Sequence, residues 1–223
     1  MPNTSLPALW RVLAILAVLL VCKVTASVLI GYRHYLPPDF DSEFLRGREP
    51  YFWGAYGGAF YTHLISGPAA LVLGTILVSD RFRRSAANWH RRLGRLQGIC
   101  VLLFLAPSGL VMARYAMTGT VAAWGLGSLA IATAACVLLG WKAAVERRLS
   151  DHRRWMWRTY MLLLSAVVIR IIGGLATVAG WEALWLYPLS TWASWLVPLA
   201  VFECGQFLAA PQARLAADGL GRG

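Results

Sequence analysis

Apolar residues in this chain do not alternate with polar ones. They run in six long blocks, at 9–32, 56–79, 96–115, 121–145, 159–181 and 192–210. Each holds about 20 residues, the length a helix needs to cross a hydrocarbon core about 30 Å thick. Gly67, Pro68, Pro107 and Pro198 fall inside the blocks. They do not argue against helix, because neighbouring helices in a bilayer can satisfy the backbone groups that such residues release. The pattern predicts an all-α, polytopic integral membrane protein: a six-helix transmembrane bundle forming one domain over 1–223, with an outer loop at 33–55 and a short tail at 211–223. Val24-Thr25-Ala26 before Ser27 resembles a cleavable signal. The apolar run continues past it through Val28, Leu29 and Ile30, so an uncleaved first span is expected.

The basic residues orient the bundle. Arg81, Arg83, Arg84, Arg91, Arg92 and Arg95 follow the second block, and Lys142, Arg147, Arg148, Arg153, Arg154 and Arg158 follow the fourth. With Arg11, Arg214 and Arg222 they place fifteen cations on one side, against Arg33, Arg46, Arg48 and Arg114 on the other. The positive-inside rule then makes both basic loops and both termini cytoplasmic, in a bacterial inner membrane. Trp53, Trp181, Trp185, Tyr187 and Trp192 gather at the outer boundary, where aromatic residues form interfacial belts.

Composition agrees. The chain is 58% hydrophobic and 14% charged with a mean hydropathy of +0.58, whereas a soluble domain holds roughly 45–50% apolar and about 25% charged residues. Soluble enzymes and nucleic-acid-binding domains are poor candidates. The net charge of +11 is mostly the topology signal, with anionic lipid headgroups as the partners of the basic loops. Cys22, Cys100, Cys136 and Cys204 all lie in apolar runs without a C-x-x-C pair, so neither a disulfide framework nor a zinc site is indicated. No P-loop, H-E-x-x-H, G-x-S-x-G or dinucleotide fingerprint is present.

The two basic loops end alike. His90-Arg91-Arg92-Leu93-Gly94-Arg95 opens the third block, and His152-Arg153-Arg154-Trp155-Met156-Trp157-Arg158 leads into the fifth. Blocks two and three are therefore expected to be a distant copy of blocks four and five. These strings, with His63-x3-Gly67 and the Arg170 inside the fifth block, resemble a bacterial predicted-membrane-protein family catalogued as domain-of-unknown-function family 2306. The resemblance covers roughly 61–174. It implies the membrane architecture and no reaction.

Ionisable side chains at membrane depth are costly and are the default functional candidates. Four lie inside the blocks: Lys23, His63, Arg170 and Glu203. At about 1.5 Å per residue they sit ~10–16 Å from the block ends, in one central-to-outer band. Small residues flank His63 (Ala59, Gly67) and Arg170 (Ala166, Gly174), which marks faces where helices approach. His63 and Arg170 are thus expected to meet across a shared cavity, with Glu203 as the counter-charge to Arg170. Lys23 is expected to snorkel outward, and His34 in the outer loop to be solvated.

His90 and His152 are the candidate ligands of a haem iron or a metal at the inner face, with arginines around the cofactor; the alternative role is interfacial. Haem needs axial imidazoles on facing helices. The leading functional expectation is a membrane redox protein that binds haem b or a quinone through His63, His90, His152 and Arg170. Two other classes stay open at this point: a small transporter or channel for an anionic or proton-coupled solute, and an assembly subunit with a membrane protein partner.

Overall fold

A computed structural model describes residues 8–220. These residues are almost wholly helical, and the only β pairing among them is an isolated bridge between Tyr35 and Pro38. Six long helices account for most of the chain: α1 (Ala8–Gly31), α2 (Gly57–Leu77), α3 (Ala87–Arg114), α4 (Thr120–Val145), α5 (Leu149–Val178) and α6 (Leu186–Leu220). The chain divides into two compact units, Met1–Gly58 and Ala59–Gly223.

Each of the six apolar blocks lies on one of these helices. Among the described residues, five helices are long and apolar enough to cross a membrane: Ala14–His34, Glu49–Leu77, Ala87–Arg114, Thr120–Val145 and Leu149–Val178. The six spans expected from sequence thus stand as five by this measure. The sixth block belongs to α6, whose apolar run is diluted by Ser190, Thr191, Ser194, Glu203 and Gln206.

In the first unit, the 33–55 segment packs an aromatic cluster around one cation. Phe52 and Tyr56 are buried, and Phe40 meets Phe52 edge-on at 5.2 Å. Arg48 is buried beside them, though less completely: its guanidinium lies 4.4 Å from the Phe44 ring centre, and its Nε donates to the Tyr56 hydroxyl at 2.9 Å.

In the second unit, small residues let helices touch. A Cβ on Gly98 of α3 would come within 2.6 Å of the Trp141 ring of α4. One on Gly125 would meet the Thr191 hydroxyl of α6 at 2.5 Å, and one on Gly140 would overlap Met156 of α5. Cys136, Leu162 and Trp195 form a buried cluster where α4, α5 and α6 converge. Helix hydroxyls bond back to the carbonyl four residues earlier, as in Ser66 to Thr62, Thr75 to Leu71, Thr133 to Leu129 and Thr159 to Trp155. Each of these hydroxyls thereby places its own proton on a backbone carbonyl in an apolar setting. Pro107 offers no N–H and crowds the preceding turn. α3 accommodates it with a wide π turn at Cys100–Leu105, in which the Ala106 amide reaches Val101.

α3 and α5 both begin ahead of their apolar blocks, at Ala87 and Leu149 instead of 96 and 159. The additional turns carry Arg91, Arg92, Arg95, Arg153 and Arg154 on exposed faces. They also place His90 and His152 at the same register, each the fourth residue of its helix.

Candidate functional site

The two histidines are held differently. His152 Nδ1 lies 2.8 Å from the Gly140 carbonyl oxygen. A carbonyl only accepts, so Nδ1 carries a proton, and in the neutral imidazole the lone pair is then on Nε2. The bond depends on Gly140 having no side chain, because α5 closes on α4 at that point through Trp155 and Met156. His90 Nδ1 is buried and has no hydrogen-bond partner among the described residues; its ring lies 6.4 Å from that of Phe82. His152 and Arg83 are both within electrostatic reach of His90. Asp80 ties this end together. It accepts from Arg153 of α5 at 2.7 Å and from Arg83 at 3.2 Å, at the start of a short helix (Asp80–Ser85) capped by the Ser79 hydroxyl.

Two turns further along α3 is a second polar group with an open valence. Gln97 is 5% exposed and its Nε2 donates to the Ala70 carbonyl of α2 at 3.0 Å. Its Oε1 is buried without a partner among the described residues. Gly74 of α2 makes room for this amide and for the Tyr160 ring: a Cβ there would meet them at 3.6 and 3.2 Å. The Thr75 hydroxyl already donates to Leu71, so Tyr160 is the donor in its 3.2 Å bond to Thr75.

His63 sits between α2 and α3. Ser108 donates to the Leu105 carbonyl, so its oxygen accepts from His63 Nδ1, at 3.3 Å. Gly67 and Gly109 leave room for the imidazole. Arg170 is within electrostatic reach of His63. Its side chain is exposed and donates to the Ala166 carbonyl on its own helix at 2.7 Å.

The expected pairing of Arg170 with Glu203 is overturned. Glu203 accepts two bonds from Arg158, at 2.6 and 3.0 Å, and the same guanidinium lies 4.3 Å from the centre of the Trp155 ring. The reason is register. α6 starts at Leu186, not 192, so Glu203 lies ~26 Å along it. Measured from the same turn, the end of α5 at Val178, Arg158 lies ~30 Å away and Arg170 only ~12 Å.

In the first unit, Lys23 is exposed on α1. His34 is exposed and accepts from Arg33 at 3.1 Å, with Asp39 at 3.6 Å. No group of three or more His, Cys, Asp and Glu side chains that could hold a metal ion occurs among the described residues. Sequence reasoning passed over Gln97, Gly94, Arg158 and Arg48. An uncharged amide in an apolar run is the one available signal for Gln97, and in the sequence Arg158 is one more basic-loop cation.

Residues 60–204 match a family described as predicted membrane protein (DUF2306). The chain belongs to this family. No curated protein and no solved structure matches it. The DUF2306 region starts where the second unit starts. It contains His63, His90, Gln97, His152, Arg158, Arg170 and Glu203, while Lys23 and Arg48 lie outside it. The fold class is that of an all-helical membrane protein, as the sequence pattern and the DUF2306 resemblance both implied.

Proposed function

We propose that this membrane protein is a redox protein whose cofactor, haem b or a quinone, is held by His90 and His152 at the cytoplasmic ends of α3 and α5. The observation that carries the reading is the Gly140 bond. It fixes His152 in the tautomer with a free Nε2, the arrangement that orients ligating imidazoles, while His90 offers a buried unpartnered Nδ1 at the same register. Arg83 and Arg153 supply positive charge for carboxylate groups on a cofactor. The orientation is part of the proposal: α6 is the sixth span, both termini are cytoplasmic, and the basic loops face anionic headgroups.

The test is a reduced-minus-oxidised absorbance spectrum of the detergent-purified protein, with solvent extraction for quinone. A haem band lost in His152→Ala, or a co-purified quinone lost in the same variant, supports the reading. A colourless protein that yields no quinone overturns it.

A second reading has its own support. His63, bonded to Ser108 and within reach of Arg170, suits a proton-coupled carrier of an anionic solute. Solute-driven proton uptake by proteoliposomes, lost in His63→Phe, would favour it.

A further inference from the structure

We infer that the face of α3 between His90 and Gln97 is a binding site for a hydroquinone-type ring, a flat ring with hydroxyls at opposite ends. The inference rests on the redox reading above and names which of its two cofactor classes this site takes.

The first observation is a gap. At about 100° per residue, His90, Gly94, Gln97 and Val101 fall within about 60° of one another on α3. Val101 is fully buried and Gln97 nearly so, which makes this the inward face. Yet a Cβ on Gly94 would meet no atom within 4 Å, although the helix packs tightly one turn later, where Gly98 abuts Trp141. Open space thus lies beside the half-buried Gly94 on the face that carries Gln97 and Val101, where a planar group could lie against the helix.

The second observation is that the gap is bracketed by two buried polar atoms without partners, His90 Nδ1 and Gln97 Oε1. A buried group left unpaired costs about 1–3 kcal/mol, so each calls for a partner. The Ala70 bond decides what Gln97 wants. Rotating the amide would set its oxygen against the Ala70 carbonyl, so Nε2 stays there and the open atom is an acceptor. Its partner must be a donor. His90 Nδ1 accepts as well when the imidazole proton is on Nε2.

Size and chemistry then agree. Seven residues of helix separate the two positions by ~10 Å. That backbone spacing is of the size taken up by two hydrogen bonds of about 2.8 Å and one six-membered ring with oxygens at opposite ends. One hydroxyl would donate to Gln97 Oε1 and the other to His90 Nδ1. The membrane-facing edge of a porphyrin is hydrocarbon and offers Gln97 no donor. Between haem and hydroquinone, the open acceptor selects the hydroquinone.

Calorimetric titration of the purified full-length protein with tetramethylhydroquinone tests this, with its dimethyl ether as the donor-free control. Saturable binding is expected for the hydroquinone and none for the ether. Gln97→Leu should weaken binding about tenfold or more, the consequence of losing one buried hydrogen bond. Gly94→Leu should abolish binding while leaving the melting temperature unchanged or higher, because the side chain enters open space. Absence of binding, or equal binding by wild type, Gly94→Leu and Gln97→Leu, overturns the assignment. The spectrum separates the two levels: a haem band that needs His152, without hydroquinone binding, sinks this inference and leaves the redox reading standing. Neither band nor binding sinks both.

Discussion

Gly94 and Gly98 are one helical turn apart on α3 and predict opposite outcomes for the same substitution. At Gly98 a methyl would press into the Trp141 ring, and overpacking of this kind costs about 1–3 kcal/mol. At Gly94 it meets nothing, and replacing a helical glycine by alanine gains roughly 0.5–1 kcal/mol. Thermal melts in detergent should therefore show Gly98→Ala below and Gly94→Ala at or above the parent. A double-mutant cycle makes the corrected ion pair measurable. Arg158 and Glu203 share two hydrogen bonds, so removing both should cost less than the sum of the single changes, by about 1–2 kcal/mol. Arg170→Leu with Glu203→Gln should add without coupling. A cycle in which Arg170 couples to Glu203 and Arg158 does not would contradict the register derived above.

The helices were legible where composition alone decides them. Apolar blocks of about 20 residues located all six elements, but not where α3, α5 and α6 begin. The first turns of α3 and α5 are rich in arginine, and their helicity comes from continuity with the buried turns that follow, not from an apolar pattern of their own. This is also why the site was only partly readable. His90 and His152 stood out by their repeated His-Arg-Arg strings, whereas Gln97 and Gly94 enter the proposed site through what does not touch them, which no string reveals. The error over Glu203 had the same source, a helix start misplaced by six residues. The early start of α3 is itself testable. Single cysteines at Arg91, Arg92 and Arg95, all exposed, should label rapidly with a membrane-impermeant maleimide applied from the side that the proposed orientation makes cytoplasmic. A cysteine at the buried Gly98 should not.

For the molecule as a whole, the proposed orientation predicts that reporter fusions after α6 and within 33–55 signal opposite sides of the membrane. Like signals would reverse the placement of the histidine pair. The Arg158–Glu203 pair also bears on how the protein is made. Among the described residues α6 carries no window that meets the span criterion the other five helices meet, and an unpaired glutamate would add to the cost of inserting it. In the proposed six-span topology Arg158, on α5, is synthesised before Glu203 and would offer it a partner as α6 enters the bilayer. Membrane entry of the last helix would then be cooperative: α5 acts as its template, and the final topology is conditional on a single guanidinium. In Arg158→Leu the C-terminal reporter should become heterogeneous, with part of the population on the wrong side, while fusions ending before α6 keep their orientation. A C-terminus that stays uniformly cytoplasmic in that variant would mean that α6 inserts without help from α5.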